Sequence, residues 1–176
     1  NRDCPDLLII GDDQDAEYSA KMAAAREKSG EFAENIHILG EVSYADIRSY
    51  YGAANIFVFP SYLETFGHPL LEAMASGLPT VAADIPVFRE IGQDAVLYAD
   101  PHSAPALAKA MEQALFTSGE AQSLAKRGRE RVQDFTWEHA ATRLLSLFTE
   151  VCAEQEARSW SRPRPQTGML EPVALG

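Results

Sequence analysis

Cysteine is nearly absent from this 176-residue chain: Cys4 and Cys152 stand far apart, in no metal-ligand spacing. That excludes a disulfide scaffold or a zinc module and leaves two buried or incidental thiols in a reducing cytosol as the expectation. Basic residues are also scarce. Fifteen Lys and Arg face 26 Asp and Glu, a formal charge of −11, so no basic stripe awaits DNA or RNA, and nucleic acid is not an expected partner. A phosphate-bearing small molecule stays open, because a few local donors outweigh a distant net charge. No apolar run approaches membrane-spanning length, and no signal peptide is visible. The Gly-rich nucleotide signatures are missing as well: there is no G-x-G-x-x-G after the first strand and no G-x-x-x-x-G-K-S/T. These absences argue against a nicotinamide dehydrogenase and a P-loop NTPase. No G-x-S-x-G elbow offers a serine nucleophile.

What is present is a hydrophobic content of 46%, enough for a sizeable core. Short apolar runs alternate with helical stretches. Leu7-Leu8-Ile9-Ile10 reads as a buried strand ending in the Gly11-Asp12-Asp13 turn, and a helix runs from about Ala16 to Ser29 with Gly30 closing it. Ile36 to Gly40 is the next strand. Ser43 caps a helix to about Gly52, with Asp46 as a capping-box variant and Val42 and Ile47 as a hydrophobic staple. Strands follow at Asn55–Phe59, Thr80–Ala83 and Ala95–Tyr98, with a helical turn near Pro86. Three helices complete the pattern: from Ser103 or His102 to about Phe116, from about Glu120 to Gln133, and from the Thr136 cap to about Ala157. From Arg158 the composition becomes that of a loose tail, so residues 1–157 are expected as a domain and 158–176 as a disordered tail. The alternation predicts an α/β fold with a Rossmann-like parallel sheet and helices on both faces, whose ligands bind at the carboxyl ends of the strands.

The stretch from Pro60 to Pro79, P-S-Y-L-E-T-F-G-H-P-L-L-E-A-M-A-S-G-L-P, is the most informative part of the chain. It follows the Asn55–Phe59 strand. Pro69 suits the first turn of a helix, Gly77 suits its left-handed stop, and Pro79 cannot continue it. The helix N-terminus beside Phe66-Gly67 offers backbone N–H groups and partial positive charge to a phosphate. The carboxylates of Glu64 and Glu72 can accept paired hydrogen bonds from adjacent hydroxyls of a sugar or ribose. A ligand with both phosphates and hydroxyl pairs, such as a nucleotide sugar, fits. His68, at the entrance of this helix, reads equally as a ligand contact and as a loop cap.

Other motifs carry less. Asp13-Gln14-Asp15 is a D-x-D that could hold a divalent cation, but acids are also welcome at the start of a helix and D-x-D matches by chance. The acidic pair after the first strand resembles that of a phosphoreceiver domain, yet the third strand ends in Phe59-Pro60-Ser61 with no phosphoacceptor Asp. His37, His68, His102 and His139 show no ligand spacing, and His37 between Ile36 and Ile38 reads as structural.

The segment E-T-F-G-H-P-L-L-E-A-M-A-S-G-L-P from Glu64 to Pro79 closely resembles the E-x7-E signature of the retaining glycosyltransferases of family four, the glycosyl transferases group 1. Phe59-Pro60-Ser61 before it, the run from Ala95 to Pro101, and the Phe135-Thr136-Trp137 entry to the last helix match too. The likeness covers roughly residues 7 to 155. It implies one half of a GT-B architecture, the C-terminal, donor-binding domain, in an enzyme that transfers a hexose from a nucleotide-diphosphate sugar with retention at the anomeric carbon. Carried to this sequence, Glu72 would bind ribose hydroxyls and Glu64 would hold hydroxyls of the donor sugar near the reacting carbon. Backbone N–H groups around Phe66, Gly67 and Leu70 would hold the diphosphate, Leu71 would belong to the same donor site, and the Gly40-Glu41-Val42 loop would lie against the base. No metal or other cofactor is implied. The last helix would cross towards a partner domain that binds a glycan, lipid-linked or small-molecule acceptor. The expected location is the cytoplasm, with the inner membrane face open to peripheral association through that domain.

Two departures follow. The family's first strand and helix of this domain, with the Arg and Lys that clamp the pyrophosphate, have no counterpart here, so the chain is expected to be a piece of a longer enzyme and inert alone. The alternatives are a nucleotide-sugar-binding module without transfer activity and a GT-B sugar-nucleotide epimerase.

Overall fold

The computed structural model describes residues 4–12 and 15–160. Among the described residues, five strands alternate with helices in the first of two compact units, which ends at Glu130. In order these are β1 (Leu7–Ile10), α1 (Ala16–Lys28), β2 (Ile36–Gly40), α2 (Tyr44–Ala53), β3 (Phe57–Phe59), α3 (His68–Ala75), β4 (Thr80–Ala83), α4 (Pro86–Gly92), β5 (Val96–Ala99), α5 (Ala104–Phe116) and α6 (Glu120–Arg131). The second unit, from Arg131 onward, holds α7 (Trp137–Trp160). The tail expected from 158 lies outside the described residues from 161, and α7 itself continues past Ala157 to Trp160. No described helix is long and apolar enough to cross a membrane.

Every strand pair is parallel, as the alternation predicts. The pairing nevertheless falls into two ladders, β1–β2 and β3–β4–β5, instead of one sheet. Burial follows the same division. β4, flanked on both sides, is buried at all four positions, and it forms a core with Ala99, Ala110 and Ala114 through Val81. β1 was expected to be buried, but Leu7 is 38% and Leu8 47% exposed, and α1 buries no residue. An apolar strand is buried only by neighbours, and among the described residues β1 pairs with β2 alone.

The helix boundaries follow the capping chemistry. Asp15 accepts from the N–H groups of Glu17 and Tyr18 at the start of α1. Ser43 Oγ accepts from the Asp46 N–H at 3.2 Å, and its own hydroxyl donates to the Asp46 carboxylate at 2.7 Å; the acid thus meets the cap's side chain and not its backbone. Ser103 caps α5, and Thr136 Oγ1 accepts from the His139 N–H at the entry to α7. Gly30, at φ +63° just after the Ser29 C-cap, closes α1 as expected, and a 3₁₀ segment, Gly30–Asn35, then leads to β2. The cysteines, expected buried or incidental, are both exposed free thiols.

Candidate functional site

Pro60 to Pro79 runs from the carboxyl end of β3 into α3, where the doubly wound rule places ligands. Gly67, at φ +87° and ψ +55°, turns the chain into α3, and Pro69 sits in the first turn. Gly67, the N-cap, makes no side-chain capping bond, so the cap itself does not offset the partial positive charge at the start of α3. Its other end closes as a Schellman motif: the Leu78 N–H donates to Ala73 O and the Gly77 N–H to Met74 O, each at 3.0 Å, with Gly77 at φ +77°. The Gly and Pro punctuation in the sequence therefore does what it predicts. α3 is anchored by Leu70, Ala73 and Met74, all fully buried, while Leu71 and Glu72 are half-buried on its flank.

Glu72 is the best-defined group of the site. Tyr51, 8% exposed on α2, donates to Glu72 Oε2 at 3.1 Å, and Tyr44, 80% exposed at the start of the same helix, reaches Oε1 at 3.5 Å. Burial, then the neighbouring Glu72 charge, push the Tyr51 phenol well above its ordinary value, so it remains a donor. Glu64 is half-buried five residues past β3 and has no ion-pair partner among the described residues. Phe66 and His68 stand together, ring centroids 4.8 Å apart, with His68 exposed. Val42, in the loop after β2 and just before α2, is half-buried.

A row of aromatic rings runs beneath these groups. Tyr51 packs edge-on against Phe57 at 5.6 Å, Phe57 meets Phe59 at 5.8 Å, and Phe59 meets Phe88 at 5.0 Å. Phe57 and Phe59 share a face because strand side chains alternate. Phe88, fully buried, ends the row under Gly67. Thus one continuous apolar floor supports both the Glu72 carboxylate and the N-terminus of α3. Sequence reasoning missed Tyr44, Tyr51 and Phe88; the seven-residue spacing of the tyrosines, two helical turns, was the available signal.

Asp13 and Gln14 lie outside the described residues, and Asp15 is engaged as the cap of α1. Among the described residues no three His, Cys, Asp or Glu side chains gather as a cation site. His37 pairs with Asp6 at 3.2 Å on β2, away from the α3 loop in sequence and in pairing.

The profile of the family described as glycosyl transferases group 1 matches residues 2–131. The chain belongs to that family. Among curated relatives, O-antigen chain mannosyltransferase B of Escherichia coli is 34% identical over 113 residues, 64% of this chain and 30% of that protein. A D-inositol 3-phosphate glycosyltransferase of Corynebacterium diphtheriae is 33% identical over 149 residues, 80% of this chain and 35% of that protein. Among solved structures, a sucrose-phosphate synthase from Thermosynechococcus elongatus superposes with a TM-score of 0.71 at 32% identity, over 84% of this chain and 39% of that one. Anabaena HepE in complex with UDP matches with a TM-score of 0.71 over 83% of this chain and 41% of that one; at 20% identity it speaks for the fold alone. These neighbours are GT-B glycosyltransferases, and the group 1 chain shares their mixed α/β architecture of parallel strands flanked by helices. It spans about a third of the length of the curated relatives just named.

Proposed function

We propose that this chain is the donor-binding part of a retaining hexosyltransferase that uses a nucleotide-diphosphate sugar. The observation that carries the reading is the carboxylate of Glu72, held by Tyr51 at 3.1 Å on the flank of a helix whose N-cap, Gly67, makes no side-chain hydrogen bond. Glu72 receives the ribose hydroxyls. The N-terminus of α3, with backbone N–H groups around Phe66, Gly67 and Leu70, faces the diphosphate, and Leu71 belongs to the same donor site. Breaking the sugar–phosphate bond builds negative charge on the leaving phosphate, which fixed N–H dipoles stabilise, and positive charge on the sugar ring. Glu64 orients the sugar hydroxyls and supports that positive charge; it is a positioning and electrostatic group. His68 lies beside the sugar or phosphate, and Val42 beside the base. The reaction needs no metal or other cofactor. The acceptor (a glycan, a lipid-linked or a small-molecule hydroxyl) and the remaining phosphate clamp come from outside these residues, so these 176 residues alone are inert. The working place of such an enzyme is the cytoplasm, including the inner face of a membrane.

In the intact protein, Glu64→Gln should abolish sugar transfer and leave nucleotide binding within a few fold of the parent, measured by radiolabelled transfer and by calorimetry. Transfer that survives would remove Glu64 from its role. Saturation-transfer NMR against uridine, guanosine and adenosine diphosphate sugars identifies the donor.

A further inference from the structure

Tyr44 and Tyr51 lie two turns apart on α2, so both side chains leave the same face of the helix. One meets each oxygen of Glu72: Tyr51 holds Oε2 at 3.1 Å from inside the core, and Tyr44 reaches Oε1 at 3.5 Å from solvent. We propose that Tyr51 is a positioning residue that fixes the Glu72 carboxylate for a ribose diol, and that the Tyr44 hydroxyl is a placeholder on the outer oxygen, displaced by an incoming ribose hydroxyl. The proposal rests on the reading of Glu72 as the ribose acceptor.

The two contacts differ in kind. The Tyr51 ring is wedged edge-on against Phe57 and packs in a cluster with Ala73 and Leu78, so its hydroxyl has one place to be. Raised above its ordinary pKa chiefly by burial, the phenol keeps its proton and remains a donor. A glutamate fixed in this way has already lost the side-chain freedom that ligand binding would otherwise remove. The Tyr44 contact lies at the outer limit of hydrogen-bond distance on a ring 80% exposed, and it is correspondingly weak. Carboxylate oxygens accept two hydrogen bonds each. With Tyr51 on Oε2 and Tyr44 displaced, Glu72 retains enough acceptor capacity for both hydroxyls of a cis-diol. The core oxygen orients and the outer oxygen exchanges.

The test compares uridine, guanosine and adenosine diphosphates with their 2′,3′-dideoxy counterparts, titrated calorimetrically into the intact protein. The parent should prefer the ribonucleotide. Tyr51→Phe keeps the ring and its packing but removes the hydroxyl; it should weaken ribonucleotide binding about tenfold while dideoxynucleotide binding stays within about twofold. Equal weakening of both would mean that Tyr51 only packs the core, and would overturn the positioning role. Tyr44→Phe should tighten ribonucleotide binding by about two- to threefold, because one competing contact is gone. Unchanged or weaker binding overturns the placeholder role. Glu72→Gln separates the levels. If it preserves the ribose preference, the ribose reading itself fails. If it removes the preference while Tyr51→Phe does not, only the positioning role fails.

Discussion

Gly67 faces the ring of Phe88 with no room for a side chain: a Cβ there would lie 2.7 Å from Phe88 Cε1. Phe88 is fully buried, and its ring packs on Phe59 at 5.0 Å, so it has nowhere to retreat. Gly67 also holds φ +87°, a conformation that an L side chain resists. Gly67→Ala therefore combines backbone strain with overpacking. It should lower stability by about 2–4 kcal/mol, read from chemical denaturation. It should also weaken nucleotide binding, because the N-terminus of α3 must shift. The double variant Gly67→Ala with Phe88→Leu should recover part of the stability, since the steric component is relieved and the φ component is not.

Much of α3 is legible in the chain before any coordinates. Pro69, Gly77 and Pro79 define its ends by rules that act within a few residues, and Ser43, Ser103 and Thr136 cap the helices they were expected to cap. The parts that stayed hidden depend on residues distant in sequence. Tyr51 and Glu72 are 21 positions apart, and nothing in the pattern Y-x6-Y announces a carboxylate between the two hydroxyls. The aromatic floor joins α2, β3 and α4, and Phe88 enters it from beyond the signature. The burial of β1 failed for a related reason. Its apolar composition states what the strand prefers, whereas its exposure depends on which strands stand beside it.

Gly92 and Gln93 make adjacent and opposite demands. A Cβ on Gly92 would lie 2.5 Å from Val96 Cγ2 and 2.7 Å from the Tyr98 hydroxyl. Gln93, by contrast, holds φ +48° and ψ −123°, outside the region an ordinary side chain prefers. The strain is fixed from outside: Tyr98 Oη donates to Gln93 O at 2.9 Å, and the same hydroxyl lies 3.1 Å from Phe88 O. Gln93→Gly should raise stability by roughly 1 kcal/mol despite the more flexible unfolded chain, while Gly92→Ala should lower it by about 1–3 kcal/mol. Thermal melts of the two variants check both signs; a Gln93→Gly variant that melts lower would show that the turn is unstrained.

Asp84 at the carboxyl end of β4 pairs with Arg89 on α4, with Arg89 Nη2 2.7 Å from Asp84 Oδ2 and the guanidinium stacked 4.6 Å from the centre of the Tyr98 ring. The hydrogen bond from Arg89 holds the Asp84 carboxyl below its ordinary 3.8, against a smaller opposing effect of burial. A carboxyl lowered on folding stabilises the native state above its unfolded pKa, and that contribution is lost as pH falls through the folded value. Both side chains are well exposed, so the effect is small. Asp84→Asn should melt slightly below the parent near pH 7, and the difference should close as the pH falls from about 4 towards 2. A constant difference over that range would show that the loss is packing and not charge.

Asp15, the last residue of the D-x-D, is the N-cap of α1. Its Oδ1 accepts from the Glu17 N–H at 3.0 Å and the Tyr18 N–H at 3.1 Å, so the carboxylate already satisfies two donors at the start of α1 and its charge complements the helix dipole there. Both donors lie on Oδ1, so the helix start fixes the orientation of the carboxylate while Oδ2 keeps its own acceptor capacity. Asp15→Ala should thus act as the loss of a cap, lowering stability by about 1 kcal/mol, and Asp15→Ser, which restores a capping oxygen without the charge, should recover most of it. Transfer by the intact protein should be insensitive to EDTA, and Asp15→Ser should retain activity under the same conditions. A chelator-sensitive transferase whose activity returns with added magnesium or manganese, and which Asp15→Ser inactivates, would instead make this loop a cation site and reverse the assignment of Asp15.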